Sequence, residues 1–232
     1  MINKYSTKLL KGFAYFGKDL ILLVLGIYLA LWTENKVEQW NNHQKQLNYL
    51  EQLEQDLLFD QSQIQQLIPA LEEKVATLNE AIQFFQSFDG NVDSTEAQQK
   101  ALSAARVVNN YYFFSPQDFT FTSMRESGDF KLISDAQIKR RLLKVNKRYF
   151  LQQTLQHNYM QGLDDEFIPM WVRHADMLEN KLVDPSILNH PLFKNMLGFA
   201  WNETSIRLRN LKDAQQEVAE TITALHFAYT KE

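Results

Sequence analysis

Histidine and acidic residues are concentrated between positions 157 and 176, where they could serve as metal ligands. The set comprises His157, Asp164, Asp165, Glu166, His174 and Asp176. On one helix His157 would lie two turns from the first two acids, while His174 could approach them only through a kink at Pro169. The segment has none of the spacings of zinc proteases, di-iron bundles or EF-hands. A solvated acidic helix face is therefore favoured, and we predict no metal and no cofactor.

The common catalytic signatures are also absent from the sequence. It contains no Gly-x-Ser-x-Gly elbow, no Gly-x-Gly-x-x-Gly turn and no Walker loop. The lack of cysteine excludes disulfides, thiolate metal sites and cysteine nucleophiles. A net charge of −4 gives no basic excess for nucleic acid. We predict a protein that is not an enzyme and does not bind nucleic acid.

The pair Lys18–Asp19 is the sharpest candidate for a functional site, because it borders the most apolar run of the chain, Leu20–Trp32. Ionisable residues within a membrane span are functional-site hypotheses by default. The simpler interpretation is that the two side chains pair with each other or lie among lipid headgroups. Nearby small residues, Gly17 and the Gly26/Ala30 pair, would let two spans pack closely.

Two further clusters have both a structural and a functional interpretation. Six aromatic residues could anchor a helical core or line a ligand pocket: Tyr111, Tyr112, Phe113, Phe114, Phe119 and Phe121. A basic stretch, 139–148, surrounds an apolar face formed by Ile138, Leu142, Val145 and Tyr149. Its charges either form a solvated face or contact acidic lipids or an acidic partner.

Composition favours helices as the elements that position these residues. In 232 residues there are only 7 Gly and 5 Pro, and 45% of the residues are hydrophobic. Scarce turn formers and abundant Leu, Gln, Glu, Lys and Ala predict an all-α fold with a sizeable core. The length fits one domain, or one domain with a membrane anchor.

The apolar run is too short to span a bilayer by itself, since its thirteen residues cover about 20 Å of helix against about 30 Å of hydrocarbon. Extending it to Phe13–Trp32 gives a full span that includes Lys18–Asp19. A signal peptide is disfavoured by the lack of a small-x-small cleavage site, and a buried soluble helix remains the other alternative. Lysines precede the span and acids follow it, which predicts a cytoplasmic N-terminus.

Beyond the span, apolar residues recur at steps of three and four from Leu47 to Phe85, which predicts one or two long helices. Pro69 should kink or break this pattern. We call the repeat the apolar stripe: Leu47, Leu50, Leu53, Leu57, Ile64, Leu67, Leu71, Val75, Leu78, Ile82 and Phe85. The stripe could be a coiled-coil seam between chains or packing within one bundle.

Further helices are predicted at about 95–112, 116–127, 135–168 and 193–229, with no strand of consequence. Ser115 followed by Pro116 predicts an N-cap. Gly128 suits a left-handed residue after a helix end. Ser134 with Gln137 predicts a capping box for the next helix.

Three stretches resemble an uncharacterised family of bacterial single-pass membrane proteins, known only as a domain of unknown function. They are YFGKDLILLVLGIYLAL (15–31), WNNHQKQLNYLEQLEQDLLFD (40–60) and ESGDFKLISDAQIKRRLL (126–143). The resemblance covers about residues 13–150. The family usually has Gly-Glu where this chain has Gly17-Lys18-Asp19. The resemblance implies a membrane anchor and a helical extra-cytoplasmic domain, and no activity.

Together these features predict an N-terminal transmembrane helix that continues into a long helix and an antiparallel, coiled-coil-like helical bundle. The predicted regions are a cytoplasmic segment 1–12, a span 13–32 and a periplasmic domain 33–232 of a bacterial inner-membrane protein. Its expected role is a non-enzymatic scaffold or accessory subunit that binds the lipid bilayer and a second copy or a membrane-protein partner. The alternative is a periplasmic ligand-sensing bundle that signals through a partner.

Overall fold

The fold is all-α, as the sequence predicts. A computed structural model of the chain describes residues 3–230, with side chains described for residues 20–230. The helices are α1 (Asn3–Gln86), α2 (Thr95–Asn109), α3 (Phe119–Glu126), α4 (Ala136–Gly162), α5 (Ile168–His174) and α6 (Pro191–Thr230). Between them lie the 3₁₀ turns Asp129–Leu132 and Pro185–Asn189, the π-helical segment Leu163–Phe167, and an antiparallel ribbon of β1 (Ala175–Asp176) and β2 (Lys181–Leu182).

The chain divides into two compact units, Met1–Tyr49 and Leu50–Glu232. In the first unit the apolar run of α1 is exposed: the large side chains from Leu20 to Trp32 are 51% to 65% accessible. A core helix of a soluble protein would bury such a run in its own chain. Helix α1 therefore carries a stretch that is long and apolar enough to cross a membrane, and the side chains of that stretch are exposed.

In the second unit the apolar stripe is packed inside a single chain. From Leu50 onward its main positions are at most 5% exposed: Leu50, Leu53, Leu57, Ile64, Leu71, Leu78 and Phe85. Near the end of α1, the stripe joins a core shared with α2, α5 and α6, where Phe85 meets Phe193 edge to face at 5.2 Å between ring centroids. Of the two interpretations of the stripe, packing within one bundle is therefore the correct one for this part of α1.

The predicted antiparallel arrangement is confirmed by the ion pairs that join α4 and α6. Arg141 binds Glu220 at 2.6 Å, and Arg148 binds Asp213 at 3.0 Å. Positions rise along α4 as they fall along α6, so the two helices run in opposite directions. The basic stretch 139–148 thus contacts acids of its own chain, while its apolar face is buried as predicted: Ile138, Leu142, Val145 and Tyr149.

The predicted break at Pro69 does not occur, since α1 continues through it to Gln86. Pro69 lacks the N–H that would bond the carbonyl four residues earlier. Its position is exposed, so water can satisfy that carbonyl and the helix survives.

Two predicted helix caps lie at other residues. Ser115 does not cap a helix, because Gln63 of α1 binds its backbone N–H at 3.4 Å and its carbonyl at 2.9 Å, and α3 begins only after Asp118. Ser134 is replaced as N-cap of α4 by Asp135, whose carboxylate accepts from the N–H groups of Gln137 and Ile138. Gly128 follows α3 with the expected left-handed φ of 78°.

Regular α-helix ends at Gly162 rather than near Ile168. The π-helical segment Leu163–Phe167 follows, and Pro169 lies in the first turn of α5. Because proline lacks an N–H, the first turn of a helix tolerates it well. The ribbon β1–β2 was not predicted, since two-residue strands leave no alternating pattern in a sequence.

Candidate functional site

The span residues are placed only in part. The side chains of Gly17, Lys18 and Asp19 lie outside the described residues. Gly26 and Ala30 are exposed one turn apart on α1, and a Cβ added at Gly26 would meet nothing within 4 Å. The small-residue face is thus uncovered in the single chain.

The six predicted aromatics do not form one pocket. Phe114 is 2% exposed and meets Tyr149 edge to face at 5.0 Å between ring centroids. Tyr111 stacks on Phe113 at 5.5 Å, and Tyr112 is half-buried nearby in the chain. In α3, Phe121 packs against Phe130 at 5.6 Å, whereas Phe119 is 79% exposed. Phe114 and Phe121 are therefore part of the buried core, and the remaining rings lie nearer the surface.

The segment between α2 and α3 is held in an extended form by buried side chains from three helices. Gln156 of α4 accepts from the Phe114 N–H at 2.8 Å and donates to its carbonyl at 3.1 Å. Arg207 of α6 donates to the Tyr112 carbonyl, and Asp60 of α1 accepts from the Gln117 N–H at 2.8 Å. These bonds satisfy backbone groups that a helix would otherwise pair.

Lys74 is the most unusual member of this network, because it is a lysine only 3% exposed. Its Nζ donates to the carbonyls of Val108 at 3.2 Å and Asn110 at 2.6 Å, and to the Tyr159 hydroxyl at 2.9 Å. Burial, with the nearby charge of Arg207, lowers the pKa of Lys74 to about 7. The three N–H groups of the ammonium are all used, so Lys74 secures the end of α2 rather than offering a donor to a ligand.

Asp60 lies in a second polar cluster, fully buried between α1 and α4. Burial raises its pKa to about 6, with the charges of Asp56 and Asp118 adding to the effect and the Gln117 hydrogen bond opposing it. Its other carboxylate oxygen lies near the Tyr149 hydroxyl, although the two form no hydrogen bond of good geometry. A pocket of about 90 Å³ lies beside it, lined by Asp56, Asp118, Phe121, Tyr149 and Phe150 among others.

A larger, partly enclosed cavity of about 220 Å³ lies between α2, the π-helical segment with α5, and the β1–β2 ribbon. Phe167 and Trp171 form its aromatic wall, with the two rings stacked at 5.9 Å and 8°. Arg106 and Asn109 face them from α2, and Asp176 and Asn180 come from the ribbon. An apolar cavity with a few convergent polar groups is the usual form of a small-molecule site.

The candidate metal ligands do not converge. His157, Asp164, Asp165 and Glu166 are exposed. His174 Nδ1 donates to the Met170 carbonyl at 2.8 Å, and its Nε2 lies 3.5 Å from Asp184. Among residues 20–230 no three His, Asp or Glu side chains come close enough to hold a metal ion. Asp176 instead caps the ribbon turn, where one oxygen accepts from the N–H groups of Leu178 and Glu179 at 3.0 Å.

Sequence reasoning missed the buried polar residues, although the apolar stripe contains a signal for them. Asp60 lies between Leu57 and Ile64, and Lys74 lies between Leu71 and Leu78, each at the three- or four-residue steps of the stripe. A charged residue in phase with an apolar face is directed into the core. The cavity residues Arg106, Asn109 and Trp171 have no such signal, since three separate elements bring them together.

Comparison with known proteins yields one match. No curated protein and no solved structure matches the chain. A family model does match, over residues 19–205, which is most of the chain. The chain therefore belongs to DUF6090, a family of unknown function.

Proposed function

We propose that this protein is a non-enzymatic accessory or scaffold subunit, held in a bacterial inner membrane by one span. The exposed apolar run Leu20–Trp32 carries the proposal, because it lies on the same helix, α1, that enters the core of the Leu50–Glu232 bundle. A helix of about 20 residues crosses a bilayer, and Phe13–Trp32 has twenty residues, with the charged pair Lys18–Asp19 towards its N-terminal end.

The charges on either side of the span support a cytoplasmic N-terminus and a periplasmic bundle. Lys4, Lys8, Lys11 and Lys18 precede or open the apolar run. Between Glu34 and Asp60 the acids outnumber the lysines. Positively charged flanks stay on the cytoplasmic side during insertion.

The contact with a partner protein is expected at the span and at the helical turns of α1 that follow it. The apolar stripe from Leu50 onward is used within the bundle, so it offers no seam to another chain. In the first unit Gly26 and Ala30 leave an uncovered small-residue face, and Val37 and Trp40 are 54% and 64% exposed. We propose that a second copy or another membrane protein packs against this part of α1.

The test of anchoring is a pair of matched variants in a bacterial host. Leu23→Arg with Leu25→Arg should release the protein into the carbonate-soluble fraction, because each charge costs about 2.5–3.5 kcal/mol at the centre of a span. Leu23→Phe with Leu25→Phe should remain in the membrane pellet. In spheroplasts, protease should remove a C-terminal tag. A carbonate-soluble wild type, or a protected tag, would overturn the anchor or its orientation.

A second candidate function is a periplasmic ligand-sensing bundle that signals through a partner. It is favoured by the 220 Å³ cavity between α2, α5 and the ribbon, whose aromatic and polar lining is typical of a ligand site. A thermal-shift screen of small metabolites on the detergent-solubilised chain tests it. Stabilisation that disappears on Trp171→Ala would support it, while a shift that persists in this variant would place binding elsewhere.

A further inference from the structure

The cavity between α2, α5 and the β1–β2 ribbon is built from backbone that departs from regular helix on two sides. The π-helical segment Leu163–Phe167 interrupts the helix directly before the aromatic wall. On the ribbon, Asn180 has a φ of 50°, the only positive φ outside glycine among the described residues. Single π turns and left-handed residues reduce stability and are concentrated at functional sites. Here both border the same cavity, since Phe167 and Asn180 line it.

Arg106 gives the cavity a positively charged side. Its Nη2 donates to the Asn180 side-chain oxygen at 3.0 Å, which fixes the guanidinium between α2 and the ribbon. This bond uses one of five N–H groups, and no acidic residue of the described chain forms an ion pair with Arg106. A guanidinium held in this way is suited to binding a carboxylate.

An acidic side chain lies on another side of the cavity. Asn109 also lines the cavity, but its Oδ1 is buried out of reach of solvent and so of a ligand. Asp176 adds a negative charge, and its carboxylate is held in place by the N–H groups of Leu178 and Glu179.

The remaining wall is apolar. Trp171 is 7% exposed and stacks between Phe167 and Phe193, at 5.9 Å and 6.0 Å between ring centroids. Its rigid neighbours leave the Trp171 ring little freedom to move. At the rim, Val172 and Met177 are 54% and 62% exposed, so a bound apolar group would cover side chains that are now in water.

We propose that this cavity binds a small α-amino acid with an apolar side chain. The ligand's carboxylate would bind Arg106, its ammonium group would face the Asp176 carboxylate, and its side chain would lie against Trp171 and Phe167. The volume of about 220 Å³ is below the ~300–1,000 Å³ of sites for drug-sized ligands, which suits a molecule of this size.

Other ligand classes fit the lining less well. A purely apolar molecule would make no use of the opposite charges of Arg106 and Asp176. Inorganic phosphate would place its charge against an aromatic wall and beside Asp176. A zwitterion uses both charges of the cavity and its apolar wall.

The test is calorimetric titration of the full-length chain in a non-ionic detergent with leucine, phenylalanine and tryptophan. At least one should bind, while its amide and its N-acetyl derivative should each bind at least about tenfold more weakly, because a charge-assisted hydrogen bond is lost. Arg106→Gln should weaken binding of the amino acid at least about tenfold. Arg173→Gln is the matched control, since Arg173 is exposed on α5 and does not line the cavity.

The same titrations can overturn the proposal. It fails if none of the three amino acids binds, if the amide binds as well as the acid, or if both arginine variants weaken binding equally. Should Arg106→Gln unfold by circular dichroism, Asp176→Asn takes its place and should abolish the preference for a free ammonium group, since asparagine keeps an oxygen for the N–H groups of Leu178 and Glu179. The cavity belongs to the Leu50–Glu232 unit, so failure here leaves the membrane anchor standing, and the Leu23→Arg/Leu25→Arg protein should still bind the ligand.

Discussion

At the scale of single residues, the bundle contains charged groups at buried positions where an apolar side chain would be expected. Asp60 and Lys74 occupy stripe positions of α1, and Arg207 is 2% exposed on α6. Each bonds backbone groups of the segment between α2 and α3. Their burial is therefore explained by the extended segment, whose N–H and carbonyl groups need partners inside the core.

Asp60→Asn should stabilise the protein at neutral pH. The folded-state pKa of about 6 lies above the unfolded value of 3.8, so the contribution of Asp60 is present below pH 4 and is lost as pH rises through 6. Asparagine keeps an oxygen for the Gln117 N–H and carries no charge. We expect the variant to match the wild type near pH 4 and to exceed it at pH 7.5 by up to about 3 kcal/mol, measured by denaturant unfolding in detergent.

The exposed carboxylate of Asp165 provides the control for this measurement. Asp165→Asn should change the free energy of unfolding by less than about 0.5 kcal/mol. A loss of stability in Asp60→Asn at pH 7.5 would mean that the fold favours the charged carboxylate over the neutral form, contrary to the raised pKa.

Lys74→Met should destabilise the protein, by an amount that depends on pH. The folded-state pKa of about 7 lies below the unfolded value of 10.5, so wild-type stability rises with pH from 7 towards 10. Methionine has no such dependence and leaves the Asn110 carbonyl without its donor, a loss of about 1–3 kcal/mol, while the Val108 carbonyl keeps its hydrogen bond from the Tyr159 hydroxyl. The gap between the two proteins should therefore widen from pH 7 to pH 9 in thermal unfolding. The exposed Lys100→Met on α2 should show no widening.

At the scale of elements, helix existence was predictable and helix ends were not. The three- and four-residue steps predicted the helix that contains residues 47–85, and start and stop signals predicted helices in the regions of α2, α3, α4 and α6. The predicted caps at Ser115 and Ser134 were wrong for different reasons. Gln63 and Asp60 bind the backbone of 115–117 and delay α3, a tertiary effect with no local signal. At α4, two capping residues stand side by side, and Asp135 was the one used.

Gly162 allows the close approach of α4 and α6 just before the π-helical segment. A Cβ at this position would lie 2.6 Å from Phe199 Cζ, and Phe199 stacks on Tyr159 at 5.9 Å. Gly162→Ala should therefore destabilise by about 1–3 kcal/mol in spite of the better helix propensity of alanine. Gly198→Ala on α6 is the control, since its Cβ would meet nothing within 4 Å, and it should be neutral or stabilising by up to about 1 kcal/mol.

The clash predicts an interaction between the two sites. In the double variant Gly162→Ala with Phe199→Leu, the smaller side chain should accept the new methyl group. The summed effects of the single variants should then exceed that of the double variant by more than about 0.5 kcal/mol. If the changes in the free energy of unfolding are strictly additive, the Phe199 ring moves aside for the alanine methyl group at no cost in stability.

At the scale of the whole molecule, the burial of the apolar stripe determines which part of α1 remains exposed for contact with another protein. Its period alone did not distinguish a seam between chains from packing in one bundle, because both bury the same positions. The buried positions from Leu50 to Phe85 show packing within the chain. The exposed apolar side chains of α1 that remain lie mainly in the first unit, from Leu20 to Trp40. Self-association through α1 is thus expected from that unit alone.

Because the stripe is buried within the bundle and the exposed apolar side chains of α1 lie mainly in the first unit, we expect the full chain to be oligomeric and the fragment 50–232 to be monomeric. The fragment contains the complete buried stripe and its α4 and α6 partners, so it should fold and remain monomeric without detergent. The full chain should form a stable oligomer in mild detergent, and Gly26→Leu with Ala30→Leu should reduce it by separating the packed spans. Light scattering with size-exclusion chromatography measures each mass. If the fragment is oligomeric, the stripe forms an interface between chains after all. If the full chain is monomeric, the partner of the small-residue face is a different membrane protein and not a second copy.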